Sequence, residues 1–403
     1  MLEINENVVY VRGAKKGAIY NFNDNNLYWI NKHSCDLIEN IAYTRTYSPS
    51  FEESKYIDTL IEMNLLDDNF EIKEFEVEID TTKKLELAWL EITQGCNCKC
   101  LHCYQGEEHF LTSDSLQLND WLDIINQLKA LNVSRVVVIG GEPCIHKDIS
   151  AILGALADNK IMTTLFTNAT YIDEKLFKTI ITHADYIKLK VSLYGKTKEI
   201  HDKITQVNGS FDKLVSNVKK LTARGVRVDV AVVVMRENQD QIDGIDKFIE
   251  SLGAFYSKFD VIRNVFGGTQ DMHTPTNQDI INSVRFRTPK FKAHKQKFID
   301  NVSHNSCWYG KIAITDNGSV LPCVFERDII YGNVKKQPLN DIIQSQIIDK
   351  YWYMNFESID NCKVCEFRYA CKDCRPLGKS VSGNLYQKNP RCCYNPYSGE
   401  WEE

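Results

Sequence analysis

The apolar positions change period several times along this chain. Residues 7–12 and 17–22 are short apolar runs on either side of a turn at 13–16, and a second turn signal, Asp24-Asn25-Asn26, precedes the strand-like Leu27-Tyr28-Trp29-Ile30. Leu37, Ile38 and Ile41, and then Tyr56, Ile57, Leu60, Ile61 and Leu65, recur at helical spacing. Strands followed by two helices predict a small α+β, winged-helix-like module over residues 1–66. Residues 67–84 are acidic and polar and read as a linker, with enough alternation over 75–79 for an edge strand.

From residue 85 short β-branched runs, at 85–93, 135–139, 161–167, 186–193, 226–234 and 258–263, alternate with helical stretches such as Trp121, Ile124, Ile125, Leu128 and Leu131. Strands separated by helices predict an α/β fold with a parallel sheet or open barrel and right-handed crossovers. In such folds chemistry gathers at the C-terminal strand ends. The unusual residues fall there: a cysteine knot after the first run, Gly140-Gly141-Glu142-Pro143 after the second, Thr167-Asn168 at the third. Beyond about residue 305, the runs 312–315 and 320–324 flank Asp316-Asn317-Gly318, a hairpin signal. The remainder is cysteine-punctuated loop with one helix near 339–353.

Composition narrows the function. With 403 residues the chain is long enough for two or three domains, and 43% hydrophobic against 25% charged residues is a globular balance. A net charge of −6 argues against a nucleic-acid partner. No long apolar run predicts a membrane span, and the N-terminus lacks the features of a secretory signal. The expected location is cytoplasmic, where 14 cysteines bind metal or do chemistry more readily than they form disulfides. They cluster: Cys96, Cys98, Cys100 and Cys103 form one knot, and after Cys144 none occurs for 162 residues. Cys307, Cys323, Cys362, Cys365, Cys371, Cys374, Cys392 and Cys393 then follow.

Within the knot, Cys96-x3-Cys100-x2-Cys103-Tyr104 offers three soft thiolates. Three ligands would leave one iron of a 4Fe-4S cluster open to a small ligand. This motif after a strand, followed by an aromatic, resembles the radical S-adenosylmethionine (SAM) superfamily, and the likeness runs over residues 85–265. It implies a partial six-stranded (β/α) TIM-like barrel and a 4Fe-4S cluster on Cys96, Cys100 and Cys103, with SAM on its open site. One electron from that cluster cleaves SAM to a 5′-deoxyadenosyl radical, which abstracts a substrate hydrogen. Cys98 falls at a non-ligand position, although spacing alone leaves it open.

The likeness extends to a SAM-binding set of Tyr104, Gly140, Gly141, Glu142, Asn168 and Ser192, with Asn238 and Arg263 in further familiar positions. Glycines allow close backbone approach, and a carboxylate such as Glu142 partners an ammonium. Thr205 stands where the family often carries an arginine, so one contact is missing or supplied elsewhere. The competing reading of the knot is a zinc site, which leaves Gly-Gly-Glu-Pro unexplained. Asn168 and Ser192 have a competing reading as plain loop caps.

The C-terminal cysteines resemble the SPASM extension of radical SAM enzymes, the domain expected over 305–403 beside a barrel over 85–304. The likeness assigns one auxiliary cluster to Cys362, Cys365, Cys371 and Cys392, and another to Cys307, Cys323 and Cys374. The two-residue gap before Cys374 is one short of the usual spacing, which leaves its role and the filling of that cluster open. A zinc ribbon is the alternative.

Residues 1–66 resemble the peptide-recognition element of enzymes that mature ribosomally made peptides, where a leader adds along a sheet edge; the alternative is a structural cap. The expected function is a radical SAM oxidoreductase that installs a thioether, carbon–carbon or carbon–oxygen crosslink in a precursor peptide. Its electrons would come from a low-potential donor such as flavodoxin or ferredoxin. Alternatives are a maturase of a folded protein, a tetrapyrrole side-chain modifier, and a non-catalytic iron–sulfur peptide-binding or electron-carrying protein. No His, Asp or Glu has a spacing that marks a general base. His102 and His109 read as loop residues, Cys35 as a small buried hydrophobe, and Cys144 as packing rather than a hydrogen-atom donor.

Overall fold

The computed structural model describes residues 1–44, 48–79, 82–106, 116–263, 265, 271–285, 291–304 and 306–402. The chain divides into two compact units, one of Met1–Thr81, Arg285–Tyr309 and Trp352–Glu403, the other of Thr82–Val284 and Gly310–Tyr351.

The first unit is built on a five-stranded sheet. Strands β1 (Leu2–Asn5), β2 (Val8–Arg12), β3 (Gly17–Asn21) and β4 (Asn26–Ile30) form an antiparallel meander, and β5 (Lys73–Glu74) pairs with β1, giving the order β4-β3-β2-β1-β5. The expected hairpin is present in register Val8↔Asn21 to Arg12↔Gly17. The edge strand expected over 75–79 lies earlier instead, at Lys73–Glu74, where Leu2 and Glu3 supply a ladder. Helices α1 (Lys32–Tyr43), capped by Asn31, and α2 (Phe51–Glu62), opened by a Ser50–Glu53 capping box, cover one face. Leu2, Ile4, Val8, Tyr10 and Ile19 pack against Leu37, Ile38, Ile57 and Leu60 there, with Cys35 fully buried among them.

The opposite face is also covered, which is why every residue of β3 is buried. Val9, Val11, Ala18 and Tyr20 pack on Phe298 of helix Lys295–Ser303 and on Tyr369 and Ala370 of the cysteine-rich segment. The turn between β2 and β3 reaches that segment directly: Ala14 N donates to Val364 O at 2.8 Å. The buried Tyr20 hydroxyl donates to Glu366 O at 2.7 Å, and Arg368 Nη1 donates to Arg12 O at 3.1 Å. The N-terminal module is thus one layer of a larger core, with a second layer supplied from the far end of the chain.

The second unit holds the alternating region. Strands β6 (Leu87–Glu91), β7 (Arg135–Ile139), β8 (Met162–Thr167), β9 (Ile187–Leu193) and β10 (Val228–Val234) pair in parallel in chain order. Between them run α3 (Leu118–Ala130), α4 (Ile149–Asp158), α5 (Glu174–Thr182), and α6 (Lys198–Thr205) with α7 (Ser210–Thr222). Of the sixth expected run, 258–263, only Asp260–Val261 is strand, and a further short piece, Phe255–Tyr256, precedes it; each is parallel to β10. Strand β9 alternates buried Ile187, Leu189, Val191 and Leu193 with half-exposed Lys188, Lys190 and Ser192. One face of the sheet is therefore fully packed and the other partly open, as a barrel wall with an accessible interior requires.

The hairpin around Asp316-Asn317-Gly318 forms as expected, with Gly318 at φ +87°. Its first strand, Lys311–Thr315, continues the sheet by pairing in parallel with β6, register Lys311↔Leu87 to Thr315↔Glu91. This pairing is why residues 310–351 belong to the unit that contains β6.

Candidate active site

The knot follows β6 and is held from two directions, by α6 and by the segment after β8. Lys99 N and Leu101 N donate to Thr205 O and Ile204 O, each at 3.0 Å, so the last carbonyls of α6 dock the loop. Thr205, where an arginine was the family's frequent choice, is buried, and its hydroxyl shares a 2.7 Å hydrogen bond with Ser210. Asn97 Nδ2 donates to Thr170 Oγ1 at 2.9 Å, and Asn168 Nδ2 donates to Asn97 Oδ1 at 2.8 Å.

Cys96, Cys100 and Cys103 are half-buried, whereas Cys98 is 2% exposed. The Cys98 thiol lies within hydrogen-bonding reach of Cys96 and Cys100 and accepts from Asn168 Nδ2 at 3.4 Å. Burial thus sets Cys98 apart from the three cysteines that the family likeness singles out. Among the described residues no three His, Cys, Asp or Glu side chains converge as around a bound metal ion.

Gly140 and Gly141 lie against the backbone of residues 93–95: a Cβ on Gly140 would strike Thr93 O, and one on Gly141 would strike Gly95 O. Gly141 N donates to Thr93 O at 2.9 Å and Glu142 N to Gly95 O at 2.8 Å. Only glycine permits this approach.

The Glu142 side chain turns inward and is 1% exposed. Its Oε1 accepts from Cys144 N at 2.9 Å and Thr167 Oγ1 at 2.7 Å, and its Oε2 accepts from Asn168 N at 2.6 Å. Burial raises its pKa, opposed by these three hydrogen bonds. In this structure the carboxylate expected to meet an ammonium ties the ends of β7 and β8 together.

Asn168 is similarly engaged, its Oδ1 accepting from Thr170 N at 2.9 Å and Thr170 Oγ1 at 2.7 Å. Ser192 is on the half-exposed face of β9. Asn238 is buried, with Nδ2 donating to Tyr194 O and Val233 O, both at 2.9 Å, while Oδ1 accepts from Met235 N at 2.7 Å. Arg263 pairs with Asp260 at 2.6 Å. Cys144 is 2% exposed with its thiol on Thr167 Oγ1 at 3.2 Å, a packed position. His102 is half-buried and packs edge-on to Tyr194; burial lowers its pKa to about 4. His109 lies outside the described residues.

Sequence reasoning passed over Glu91, Gln105 and Arg327. Glu91 ends β6 with no exposed surface, and Arg327 grips it through both terminal nitrogens at 2.6 and 2.5 Å. A charged residue closing an apolar strand was the available signal, because a buried carboxylate requires a partner.

In the first unit Cys362, Cys365, Cys371 and Cys392 are electrostatic neighbours, and burial raises each thiol pKa. Cys307 lies beside Arg375, whose backbone N donates to its Sγ at 3.3 Å. The fully buried Arg375 guanidinium is held by Asp373 and by Leu385 O at 2.7 Å. Cys374 precedes Arg375 in this unit, while Cys323 belongs to the other.

Two family models match the chain: the radical SAM superfamily over residues 90–249, and the SPASM iron–sulfur cluster-binding domain over residues 306–375. This chain is a radical SAM enzyme with a SPASM domain. Among curated relatives, an AdoMet-dependent heme synthase of Methanosarcina barkeri is 22% identical over 77% of this chain and 96% of its own. The antilisterial bacteriocin subtilosin biosynthesis protein AlbA of Bacillus subtilis is 24% identical over 76% and 70%. Among solved structures, Streptococcus suis SuiB bound to precursor peptide SuiA superposes with TM-score 0.59 at 16% identity, covering 96% of this chain and 99% of that one. Native anSMEcpe with bound AdoMet superposes with TM-score 0.58 at 16% identity over 77% and 94%. These likenesses show the same α/β fold.

The radical SAM domain carries a 4Fe-4S cluster and SAM, and the SPASM domain carries auxiliary iron–sulfur clusters. The residues fit on donor chemistry. Three half-buried cysteines belong to one strand-end loop, and soft sulfur ligands suit iron–sulfur clusters. The bare Gly140-Gly141 backbone packs directly on residues 93–95, the stretch that leads into the cysteine loop.

Proposed function

We propose that this enzyme matures a ribosomally made peptide, forming a crosslink within it. The observation that carries the reading is the N-terminal module: a sheet with two helices on one face, whose β2–β3 turn is joined to the cysteine-rich segment. A peptide strand added to such a sheet gains affinity from main-chain hydrogen bonds and specificity from side-chain pockets. The fold likeness to a peptide-bound enzyme over 96% of the chain, this module included, supports it. So do relatives named for peptide chemistry: AlbA, a PqqA peptide cyclase and the mycofactocin maturase MftC.

In this reading Cys96, Cys100 and Cys103 hold the 4Fe-4S cluster. Tyr104, the Gly140-Gly141 backbone, Asn168 and Ser192 border SAM. When bound, the cluster and SAM supply hydrogen-atom abstraction. The chain's own part is to orient and enclose. Glu142 fixes the ends of β7 and β8 by three hydrogen bonds, and α6 docks the cysteine loop through two carbonyls. The half-exposed residues of β9 face the substrate. Cys362, Cys365, Cys371 and Cys392 would hold one auxiliary cluster, and Cys307, Cys323 and Cys374 are the remaining candidates for auxiliary-cluster ligation; such clusters would supply an acceptor for the electron left after bond formation. The enzyme acts in the cytoplasm with a flavodoxin or ferredoxin as donor.

A tetrapyrrole substrate is the second reading, favoured by relatives named heme synthase and by Lys190, a half-exposed cation on β9. Its ammonium lies 5.6 Å from the Phe166 ring, while neighbouring Asp229 is taken by Lys188 at 3.5 Å and Arg227 at 3.2 Å. Such a cation suits a propionate.

The test uses the full chain, reconstituted anaerobically with iron and sulfide, with dithionite, SAM and the short peptide encoded beside its gene. The expected result is 5′-deoxyadenosine together with a peptide lighter by the hydrogens lost on crosslinking, and no product when the leader is removed. Release of 5′-deoxyadenosine with the peptide unchanged, and decarboxylation of an iron porphyrin instead, would replace the first reading with the second.

A further inference from the structure

Four donors converge on one carboxylate at the base of the cysteine loop. Glu91 Oε2 accepts from Arg327 Nη1 at 2.6 Å. Its Oε1 accepts from Arg327 Nη2 at 2.5 Å, from Gln105 Nε2 at 2.8 Å and from Tyr104 Oη at 3.4 Å. Glu91 ends the strand that leads into the knot, whereas Tyr104 and Gln105 are the two residues that leave it. A single side chain therefore closes the segment carrying Cys96, Cys100 and Cys103 at both ends. The group that neutralises it comes from elsewhere: Arg327 lies four residues after Cys323, beyond the hairpin that extends the sheet next to β6. Phe325, from the same stretch, packs edge-on against the Tyr104 ring with centroids 5.1 Å apart. The Arg263 guanidinium lies over the Phe325 ring, 5.9 Å from its centroid.

Stability alone does not explain this arrangement. Burying an ion pair costs desolvation on both partners, and packed apolar residues of similar volume generally serve stability as well or better. The Glu91 side chain is 1% exposed and that of Arg327 16%, so that cost is present here. What a bidentate pair adds is fixed orientation: the planar guanidinium holds the carboxylate in one plane, leaving its remaining lone pairs directed at the two side chains that follow Cys103. The chain places this device where a loop must present three thiols and one aromatic ring in a set geometry.

We infer that Arg327 and Phe325, contributed by the SPASM region, are positioning residues for the SAM site, acting through Glu91 on the cysteine loop and on Tyr104. The inference rests on the reading that Tyr104 borders SAM. It joins the two matched domains functionally: residues adjoining the auxiliary-cluster cysteine Cys323 set the geometry of the primary site.

The experiment measures SAM affinity and the low-temperature EPR spectrum of the reduced 4Fe-4S cluster, with and without SAM, on reconstituted full-length protein of matched iron content. Arg327→Met is expected to weaken SAM binding about tenfold and to alter the SAM-dependent EPR change, because the carboxylate that orients Tyr104 loses its bidentate partner. Arg327→Lys, which keeps the charge and loses the fork, falls between parent and Arg327→Met. Glu91→Gln and Glu91→Gln/Arg327→Met weaken SAM binding to a similar degree rather than multiplicatively, because the two residues act as one unit. Phe325→Leu alters the SAM-dependent spectrum with less loss of affinity.

If Arg327→Met does not accumulate as folded protein, the neutral double variant and Arg327→Lys carry the test. Affinity within twofold of the parent and an unchanged spectrum in these variants overturn the inference. So does a loss of thermal stability and iron content with SAM affinity of the folded fraction intact, which marks a structural pair only. Tyr104→Leu tests the underlying reading separately. If it leaves SAM binding unchanged, Tyr104 does not border SAM. If it weakens binding while the Arg327 variants do not, that reading survives and the present inference fails.

Discussion

Replacing Glu142 tests whether its carboxylate holds loops together or meets SAM. In Glu142→Ala, Cys144 N, Thr167 Oγ1 and Asn168 N lose acceptors now at 2.9, 2.7 and 2.6 Å. The two amides cannot turn elsewhere, and a buried donor without an acceptor costs about 1–3 kcal/mol. The hydroxyl rotates, and release of a carboxylate from burial offsets part of the loss. The net destabilisation expected is about 2–4 kcal/mol. Glu142→Gln keeps one oxygen and turns an NH2 toward a donor, so it should cost nearly as much.

Urea denaturation of the anaerobic protein gives the stability, and equilibrium binding gives the SAM affinity, which should fall because Asn168 and the Gly140-Gly141 loop are released together. Stability within about 0.5 kcal/mol of the parent would refute the hydrogen-bond accounting. If SAM affinity alone were lost, the carboxylate would be restored to its expected role as an ammonium partner.

Further outcomes follow from other sites. His201 is 1% exposed and its pKa is lowered by burial to about 4, so the folded state disfavours the charged ring. The unfolded chain then binds more protons between about pH 6.5 and 4, and stability falls on acidification through that window by about 3 kcal/mol. His201→Gln should flatten that slope in denaturation curves taken across the range. Gly141→Ala drives a methyl into the carbonyls of Gln94 and Gly95, backbone atoms that cannot yield, and should cost about 1–3 kcal/mol and weaken SAM binding by calorimetry. Tyr20→Phe removes a buried 2.7 Å hydrogen bond to Glu366 O, leaving that carbonyl one partner fewer at a cost of about 1 kcal/mol. If the N-terminal sheet and the cysteine segment unfold together, the loss appears as a lower melting temperature of the whole first unit rather than as an early separate transition.

Local chemistry was legible in the sequence because it depends on neighbours along the chain. Alternation and β-branching specify β6 to β10 within two residues or so, and Asp316-Asn317-Gly318 specifies its hairpin. The Cys96-x3-Cys100-x2-Cys103 spacing with Gly140-Gly141-Glu142-Pro143 at the next strand end was enough to point to the radical SAM domain. Strand β5 was misplaced because two exposed residues, Lys73 and Glu74, carry no apolar signal; they are strand because β1 is there to pair with.

What only the tertiary structure decided is which distant segments share a core. Lys311–Thr315 reads as half of a hairpin, and nothing in its pattern announces a parallel ladder to Leu87–Glu91. Val9 and Tyr20 belong to the two apolar runs of a small module, yet they pack against Phe298 and Tyr369. Glu142 and Glu91 show the same division within the site. The residue types were visible, but a carboxylate's role is set by the donors that surround it, and those come from loops as far away as Arg327. Periodicity encodes which face of an element is apolar; it does not encode what covers that face, because burial is non-directional and its partner is chosen by the fold as a whole.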